Sequence, residues 1–226
     1  MELIEAIQSR HAVRKYTDAP IEAAKVAQLR AETEKLNARS GLHIQLVLDE
    51  PKAFSSGIRK YGAISGVRNY FAMVGKKGKE IEEKIGYYGE QLVLLAQTLG
   101  LNTCWVGLTF KEVDEVISLS EGECVHCVIA LGYGVDSGRQ HPMKPIEKFC
   151  ETDGDVPEWF RRGMEAALLA PTAMNQQKFK FTLRSGNKVT AETTFSLAGK
   201  GYLYYDLGIV KCHFELGAGK DNFTWM

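Results

Sequence analysis

The segment 170–181 constrains the fold most, because a helical pattern stops there and a strand pattern begins. Before it, apolar residues recur every four positions, which predicts a helix over 155–168. Asp155, followed three positions later by an acidic residue, is the predicted cap of that helix. Pro171 ends it, and alternating aromatic and basic residues predict a strand over 178–184.

The predicted turn between this helix and this strand carries backbone N–H groups, short side chains and two amides. The residues concerned are Thr172, Ala173, Asn175 and Gln177. An amide group has both donors and an acceptor, so the turn suits a flat heterocycle of mixed hydrogen-bonding character, such as the pyrimidine ring of a flavin. A turn rich in amides that binds no ligand explains the same residues, and both interpretations stay open here.

A pair of arginines near the N-terminus is the second candidate binding feature. Arg10 and Arg14 are four residues apart, so on a helix end or a tight turn they can point to one place. Two guanidinium groups that converge can clamp a phosphate or a ring oxygen. The alternative is a basic face that contacts only solvent.

Composition excludes several functional classes. The 226 residues are 45% hydrophobic and include 28 basic and 28 acidic residues, so general binding to nucleic acid or to a membrane surface is not expected. No apolar run approaches the length of a membrane span, and the N-terminus does not resemble a signal peptide. Five cysteines without a disulfide framework favour a reducing cytoplasm.

The cysteines and histidines do not predict a metal site. Cys124 and Cys127 have the spacing of half a zinc site, but they open an apolar strand and no second pair follows. We therefore interpret them as small buried residues. The five histidines show no metal-binding spacing either.

The remaining periodicities predict an internal repeat. Helices are predicted over 18–40, 82–99 and 114–119, and strands over 42–48, 69–74, 125–134 and 188–195. A tyrosine pair opens the long helix at 87–88 and another opens a long helix at 204–205, and Trp105 then matches Trp225. The pattern predicts halves 1–150 and 151–226 that form one compact domain or a pseudo-dimer.

Several of these segments together resemble the FMN-dependent nitroreductases. Residues 10–17 resemble the N-terminal arginine motif of that family, with Ala12 in place of the usual serine. The segment 170–181 resembles the family's Ala-Pro-Ser-x-x-Asn-x-Gln-Pro-Trp-x-Phe motif, with Lys178 and Phe179 in place of Pro and Trp. Residues 99–107 resemble the segment that passes the flavin.

The resemblance implies an α+β, nitroreductase-like fold of two pseudo-symmetric halves, each with a mixed sheet packed by helices. It implies that Arg10 meets the phosphate or ribityl chain and Arg14 the N1/C2-oxygen edge. Lys144, with Lys60 and Arg139, would complete the phosphate clamp. The implied cofactor-binding residues are Arg10, His11, Ala12, Arg14, Trp105, Val106, Gly107, Leu108, Lys144, Pro171, Thr172, Ala173, Asn175 and Gln177.

The implied activity is hydride transfer from NADH or NADPH, through FMN, to a nitroaromatic compound, a quinone or a similar small acceptor. No side chain need act as acid or base, and no metal is implied. Two alternatives stay open: a flavin-binding sensor or store without turnover, favoured by Ala12, Lys178 and Phe179, and a flavin-free scaffold.

The order of the motifs is similar to the branch in which one chain mimics the nitroreductase dimer. The arginine motif occurs only in the first half and the Asn-x-Gln turn only in the second. We therefore expect one FMN per chain and an active monomer. The place in the second half that matches the arginine motif, 149–154, is acidic and would repel a phosphate.

Overall fold

The computed structural model describes residues 1–54, 64–111, 113–195 and 200–226. These residues form five α-helices and two four-stranded sheets. They divide into two compact units. The N-terminal unit comprises Arg10–Ile81 and Gln91–Gln140, and the C-terminal unit comprises Met1–Ser9, Glu82–Glu90 and His141–Met226.

The sheet of the N-terminal unit is antiparallel throughout. Its order is β1 (Gln45–Val47), β2 (Asn69–Lys76), β4 (Glu123–Gly132) and β3 (Asn102–Val106). The central strands β2 and β4 are almost continuously buried, as their apolar sequences predict. Among these four strands the pairing is antiparallel rather than mixed, and a parallel bridge joins Ala12 to Thr103 of β3 beside them. The α+β fold class is confirmed.

Helix α2 (Ala23–Ser40) belongs to this unit and ends, as predicted, before Gly41, whose φ of 73° is left-handed. Strand β1 comprises only Gln45–Val47 of the predicted 42–48, and the helix α2 is tied to the residue just before it. The Asn37 side chain donates to the Ile44 carbonyl oxygen and accepts from the Ile44 N–H, both at 2.8 Å. The named strand pairs with β2 from Gln45 onward, and the His43 N–H also donates to the Val74 carbonyl oxygen of β2 at 3.0 Å.

The C-terminal unit has a mixed sheet. Its order is β5 (Cys150–Thr152), β6 (Phe179–Arg184), β7 (Lys188–Thr193) and β8 (Thr224–Trp225), with a central antiparallel pair and parallel pairs on either side. Its helices are α1 (Leu3–Ser9), α4 (Glu158–Leu168) and α5 (Leu203–Ala218). Helix α3 (Lys79–Thr98) contributes its segment Glu82–Glu90.

Two sequence-based details were wrong. Asp155 does not cap α4, because the N-cap is Pro157, which makes no side-chain cap bond. The helix predicted over 114–119 is only a turn at 114–116.

Glycines let α3 and α5 cross reciprocally. A Cβ atom on Gly86 would collide with the Tyr205 carbonyl oxygen, and one on Gly208 would collide with the Glu83 carbonyl oxygen. Gly86 thus lies against the carbonyl group three residues before Gly208, and Gly208 lies against the carbonyl group three residues before Gly86. The contact pairs Gly86 with Gly208, whereas the sequence-based alignment paired the tyrosines.

The strand pairing also departs from the sequence-based repeat. Trp105 lies on β3, which pairs only with β4 among the described strands. Trp225 lies on β8, which pairs in parallel with β7. The two tryptophans therefore occupy different places in their sheets.

Candidate functional site

The arginine segment, residues 10–14 of the N-terminal unit, is extended, which contradicts the expectation of a helix end or tight turn. The helix α1 ends at Ser9, and Ala12 then pairs with Thr103 of β3. The Val13 N–H donates to the Thr103 carbonyl at 3.0 Å. The segment is therefore held along β3.

Both arginines nevertheless act on one residue. Arg10 is only 5% exposed, whereas Arg14 is exposed. Burial raises the pKa of the Cys104 thiol, and the charges of Arg14 and then Arg10 lower that pKa. Both guanidinium groups are thus within electrostatic range of Cys104 on β3, and their convergence on a ligand stays a prediction.

Two buried polar atoms lie in the same part of the chain. The His11 Nδ1 atom and the Tyr16 hydroxyl are buried, and neither has a hydrogen-bond partner among the residues that the structure describes. Burial first, and then Cys104, raise the pKa of Tyr16, while Arg14 lowers it. An unsatisfied buried polar group costs about 1–3 kcal/mol, so such atoms mark a place where water or a ligand is expected.

Two glycines allow the segment after β4 to fold closely over the arginine segment. A Cβ atom on Gly138, which has a φ of +71°, would lie 2.9 Å from the Ala12 carbonyl oxygen and from the His11 Cβ atom. A Cβ atom on Gly134 would lie 2.8 Å from the Val13 Cγ1 atom. A side chain at either position would close this approach.

The end of β3 presents the segment that resembles the flavin-passing part of the family. Val106 is buried, Trp105 and Gly107 are half-buried, and Leu108 is 67% exposed. These residues directly follow Cys104, and the arginine segment lies beside the same strand through the bridge of Ala12 to Thr103. The predicted residues that belong to the N-terminal unit are Arg10, His11, Ala12, Arg14, Trp105, Val106, Gly107 and Leu108. Lys60 lies outside the described residues, and Arg139 is exposed.

The amide turn, residues 172–177 of the C-terminal unit, has an unusual backbone. Met174, Asn175 and Gln177 have φ values of 51°, 51° and 52°. Left-handed backbone costs a non-glycine residue roughly 1–2 kcal/mol, and such strain persists only where the surroundings enforce it.

Hydrogen bonds from the amides supply that enforcement. Asn175 Nδ2 and Gln177 Nε2 both donate to the Pro142 carbonyl oxygen, at 3.0 and 2.8 Å. Gln177 Nε2 also donates to Asn175 Oδ1 at 2.7 Å, and the Gln177 N–H donates to Thr172 Oγ1 at 3.1 Å. The side-chain donors that we expected at a flavin edge therefore hold the turn itself in shape.

The connector before β5 is part of this arrangement. Lys144 Nζ donates to the Gln176 carbonyl oxygen at 3.2 Å, so the predicted residues Lys144, Pro171, Thr172, Ala173, Asn175 and Gln177 lie together in the C-terminal unit. One acceptor is left over: Gln177 Oε1 is buried and without a partner among the described residues.

Asp206, which also contacts the turn, was not predicted as a site residue. Its Oδ1 atom accepts from the Ala173 N–H at 2.9 Å, and the residue is 4% exposed. Burial raises the pKa of this carboxyl group to about 7, although the Ala173 N–H lowers it. A single aspartate in the first turn of a helix has no distinguishing pattern, so only the fold reveals its contact.

The sequence matches a known protein family. The family model described as "Putative TM nitroreductase" matches residues 2–218. The chain belongs to this nitroreductase family.

Solved structures of nitroreductases share the fold. A "putative nitroreductase" of Thermotoga maritima superposes with a TM-score of 0.69 at 22% identity, over 98% of this chain and 85% of that chain. A nitroreductase family protein of Streptococcus pneumoniae gives 0.51 at 14% identity, over 66% of this chain and 99% of its own.

A third structure, described as a "putative NADH dehydrogenase/NAD(P)H nitroreductase" of Bacteroides thetaiotaomicron, gives a TM-score of 0.50 at 20% identity. It covers 65% of this chain and 95% of its own. At these identities the likeness shows the fold alone. No curated protein matches the sequence of this nitroreductase-family chain.

The cysteines of the nitroreductase chain form no disulfide: all five are free. Cys127 is buried on β4, and burial raises its pKa. Among the described ranges, no group of three or more His, Cys, Asp or Glu side chains could hold a metal ion, and no helix is long and apolar enough to cross a membrane.

Proposed function

We propose that this nitroreductase-family protein binds FMN and transfers hydride from NADH or NADPH to a small electron-poor acceptor, such as a nitroaromatic compound or a quinone. The observation that carries the proposal is the match of the nitroreductase family model to residues 2–218. The arginine segment fits this function, because guanidinium groups such as those of Arg10 and Arg14 would bind the phosphate of a cofactor.

The residues present fit FMN chemically. A guanidinium group carries paired donors that match phosphate oxygens, and a phosphate monoester carries close to two negative charges at neutral pH. The buried Nδ1 of His11 and Oε1 of Gln177 are groups that a ligand could satisfy. Gln177 Oε1 is an acceptor, which suits an imide N–H.

The chemistry divides simply between cofactor and protein. FMN, when bound, supplies the redox chemistry, and the protein binds and orients it. Arg10, which is buried, would hold the phosphate or ribityl chain. Arg14, which is exposed, would place a fixed positive charge where reduction creates negative charge, and such preorganised charge favours the reaction. No side chain need move a proton.

We propose further that one FMN per chain uses both groups of residues, with halves 1–150 and 151–226 acting as a pseudo-dimer, so that a monomer is sufficient. The support is that each motif occurs once in the sequence and that α3 and α5 cross reciprocally at Gly86 and Gly208. A reciprocal contact is typical of two-fold packing.

A second flavin is not expected at the acidic segment of the second half, but the reason differs from the one that the sequence suggested. Glu151 is paired with Lys180, and Asp153 with Arg184 at 2.6 Å. Repulsion of a phosphate is therefore weakened by the paired cations. Those cations are also already occupied, so they do not provide a clamp.

The cysteines indicate the cellular compartment of the proposed reaction. Five free cysteines fit the reducing cytoplasm, and the partners would be a nicotinamide and a small acceptor.

A flavin sensor or store is the second candidate function. It is favoured by Ala12, Lys178 and Phe179, which depart from the motifs, and by the amide donors that the turn uses internally.

An anaerobic titration separates these functions. The purified protein, reconstituted with FMN, is mixed with NADH and separately with NADPH while the visible absorption of the oxidised flavin is followed. We expect one of them to bleach the flavin, and a nitroaromatic compound or a quinone to restore the colour. Flavin that binds but is not bleached by either nicotinamide would identify a store, and no flavin binding at all would reject the proposal.

Arg14→Ala is the variant for this experiment, with Arg30→Ala, an exposed arginine of α2, as the matched control. Both lose one exposed guanidinium group of the N-terminal unit. Slower bleaching in Arg14→Ala alone would support the assigned role, whereas equal rates in the two variants would remove Arg14 from the site.

A further inference from the structure

Asp206 is a buried carboxyl group that the proposed chemistry does not use. It lies in the first turn of α5 (Leu203–Ala218) and is 4% exposed. A carboxylate that is taken from water needs hydrogen bonds or a cation to compensate for its lost hydration. The hydrogen bonds and charges around Asp206 therefore indicate whether this carboxyl group has a role in the site.

The two oxygens of this carboxyl group differ. Oδ1 accepts from the Ala173 N–H at 2.9 Å. Oδ2 is buried and has no hydrogen-bond partner among residues 1–54, 64–111, 113–195 and 200–226. The carboxyl group is thus held on one side and unsatisfied on the other.

The contact reaches the amide turn at its second residue. The Ala173 carbonyl accepts from the Gln176 N–H at 3.1 Å, and the next three residues include two with left-handed φ. A backbone strained in this way keeps its conformation only while its anchors hold. Asp206 is the anchor on the α5 side, and Pro142 is the anchor on the connector side.

Many of the charged groups on the neighbouring elements are engaged with other partners. Their contacts are those of Glu83 with Lys211, Glu90 with His213, Glu215 with Lys220, Arg161 with Glu158 and Glu165, His141 with the Leu168 carbonyl, and Lys144 with the Gln176 carbonyl. The pKa of Asp206 is raised to about 7 by burial and lowered by the Ala173 N–H, with no charged side chain involved.

We propose that Asp206 is a positioning residue: its carboxylate, by accepting from the Ala173 N–H, fixes the amide turn for flavin binding, and uptake of a proton from solvent loosens that hold. The inference rests on the proposed function. A charged acceptor forms a stronger hydrogen bond than a neutral one, and the Ala173 N–H accordingly lowers the pKa of Asp206. While the carboxyl group stays buried, the turn is therefore held more firmly above neutral pH than below it; global unfolding, which returns the carboxylate to water, has the opposite pH dependence. Flavin affinity then rises with pH through the titration of this one carboxyl group.

The test measures the turn and the ligand separately. Hydrogen exchange at the Ala173 amide is followed by NMR in the flavin-free protein from pH 5.5 to 8.5, as a protection factor. Riboflavin binding is measured over the same range by fluorescence quenching. Riboflavin is chosen because it lacks the phosphate, whose second ionisation also falls near pH 6.

Three variants accompany the wild-type protein. Asp206→Asn keeps an acceptor for the Ala173 N–H but cannot ionise, and Asp206→Ala removes the acceptor. Asp221→Asn is the control, because it makes the same chemical change at an exposed position of the C-terminal unit.

We expect protection of the Ala173 amide and riboflavin affinity to rise together, by roughly threefold to tenfold, through one step near pH 7. Asp221→Asn should reproduce the step, Asp206→Asn should abolish it, and Asp206→Ala should lose protection at every pH. A step that persists in Asp206→Asn, or wild-type protection in Asp206→Ala, would overturn the proposal. Should Asp206→Ala not fold, Asp206→Asn alone decides the outcome.

Failure of the proposed function gives a different result. If the wild-type protein binds neither riboflavin nor FMN at any pH, flavin binding is rejected and the ligand part of this proposal is rejected with it. The exchange measurement still decides whether Asp206 holds the turn.

Discussion

The two groups of predicted cofactor residues are built differently. In the arginine segment, the guanidinium charges of Arg10 and Arg14 converge on Cys104, and His11 Nδ1 is buried without a partner among the described residues. In the amide turn, Asn175 and Gln177 donate to the Pro142 carbonyl and so maintain the turn's own conformation. One group presents charge, whereas the other maintains shape.

This difference shows that an arginine motif and an amide motif are not equally good predictors of contact with a ligand. An amide has donors and an acceptor, so a nearby carbonyl can use it fully. A guanidinium group has only donors and a full positive charge, so it suits an anionic ligand such as a phosphate. We therefore expect the arginine segment to affect FMN affinity more strongly than the amide turn, whose larger effect is on local stability.

Asp206 gives the largest expected effect on stability. Its pKa is about 7 in the folded protein and near 4 in an unfolded chain. The folded state therefore binds more protons between these values, and stability falls as pH rises from about 4 to about 7. Asp206→Asn removes the ionisation and should stabilise the protein at pH 8 by up to about 4 kcal/mol.

Urea unfolding at pH 8 and at pH 4.5 checks this expectation. The variant should exceed the wild type at pH 8 and approach it at pH 4.5. Equal stabilities at pH 8 would mean that ionising the buried carboxyl group carries no cost, which would contradict its raised pKa.

Arg10 gives the next largest effect, and this effect is on binding. Losing one hydrogen-bonding contact to a charged phosphate costs on the order of 1.5–3 kcal/mol, so Arg10→Ala should bind FMN about tenfold to a hundredfold more weakly. Fluorescence titration measures the affinity, and circular dichroism confirms folding.

Riboflavin supplies the control for Arg10. Because riboflavin has no phosphate, its affinity should change much less in Arg10→Ala than that of FMN. Equal losses for the two ligands would place Arg10 away from the phosphate, and unchanged FMN affinity would remove it from the site.

Asn175 gives the smallest effect, because its amide is one of several anchors of the turn. Asn175→Ala loses the hydrogen bond to Pro142 and puts alanine at a φ of 51°. Asn175→Gly loses the same hydrogen bond without that strain. We expect Asn175→Ala to be less stable than Asn175→Gly by about 1 kcal/mol, with lower FMN affinity or slower flavin reduction in both.

Thermal unfolding and FMN titration of the two variants decide this point. Wild-type stability with reduced FMN affinity would show that the amide contacts the ligand after all. Wild-type values for affinity and reduction rate in both variants would leave Asn175 with a role in the turn alone.

Much of the fold could be predicted because the helical and strand periodicities are local. Helix α2 and the apolar strand β4 appear where the pattern places them. Boundaries were less accurate, since β1 comprises only Gln45–Val47 of the predicted 42–48 and Asp155 does not cap α4. The reciprocal glycine contact was missed because it depends on how α3 and α5 cross.

The candidate site was predictable in its residues and less so in their contacts. The arginine motif was recognised, but its extended backbone depends on pairing with Thr103, which is distant in sequence. The contact of Asp206 with Ala173 joins residues of a helix and a turn that the sequence does not relate. Contacts of this kind depend on tertiary packing and leave no local pattern.

The most direct test of the central claim is the stoichiometry of FMN binding. Flavin-depleted protein is titrated with FMN while its mass in solution is followed by light scattering. We predict saturation at one FMN per chain with the protein still a monomer. No saturable binding would contradict the claim, two FMN per chain would contradict the single site, and binding only by a dimer would mean that the motifs pair between chains.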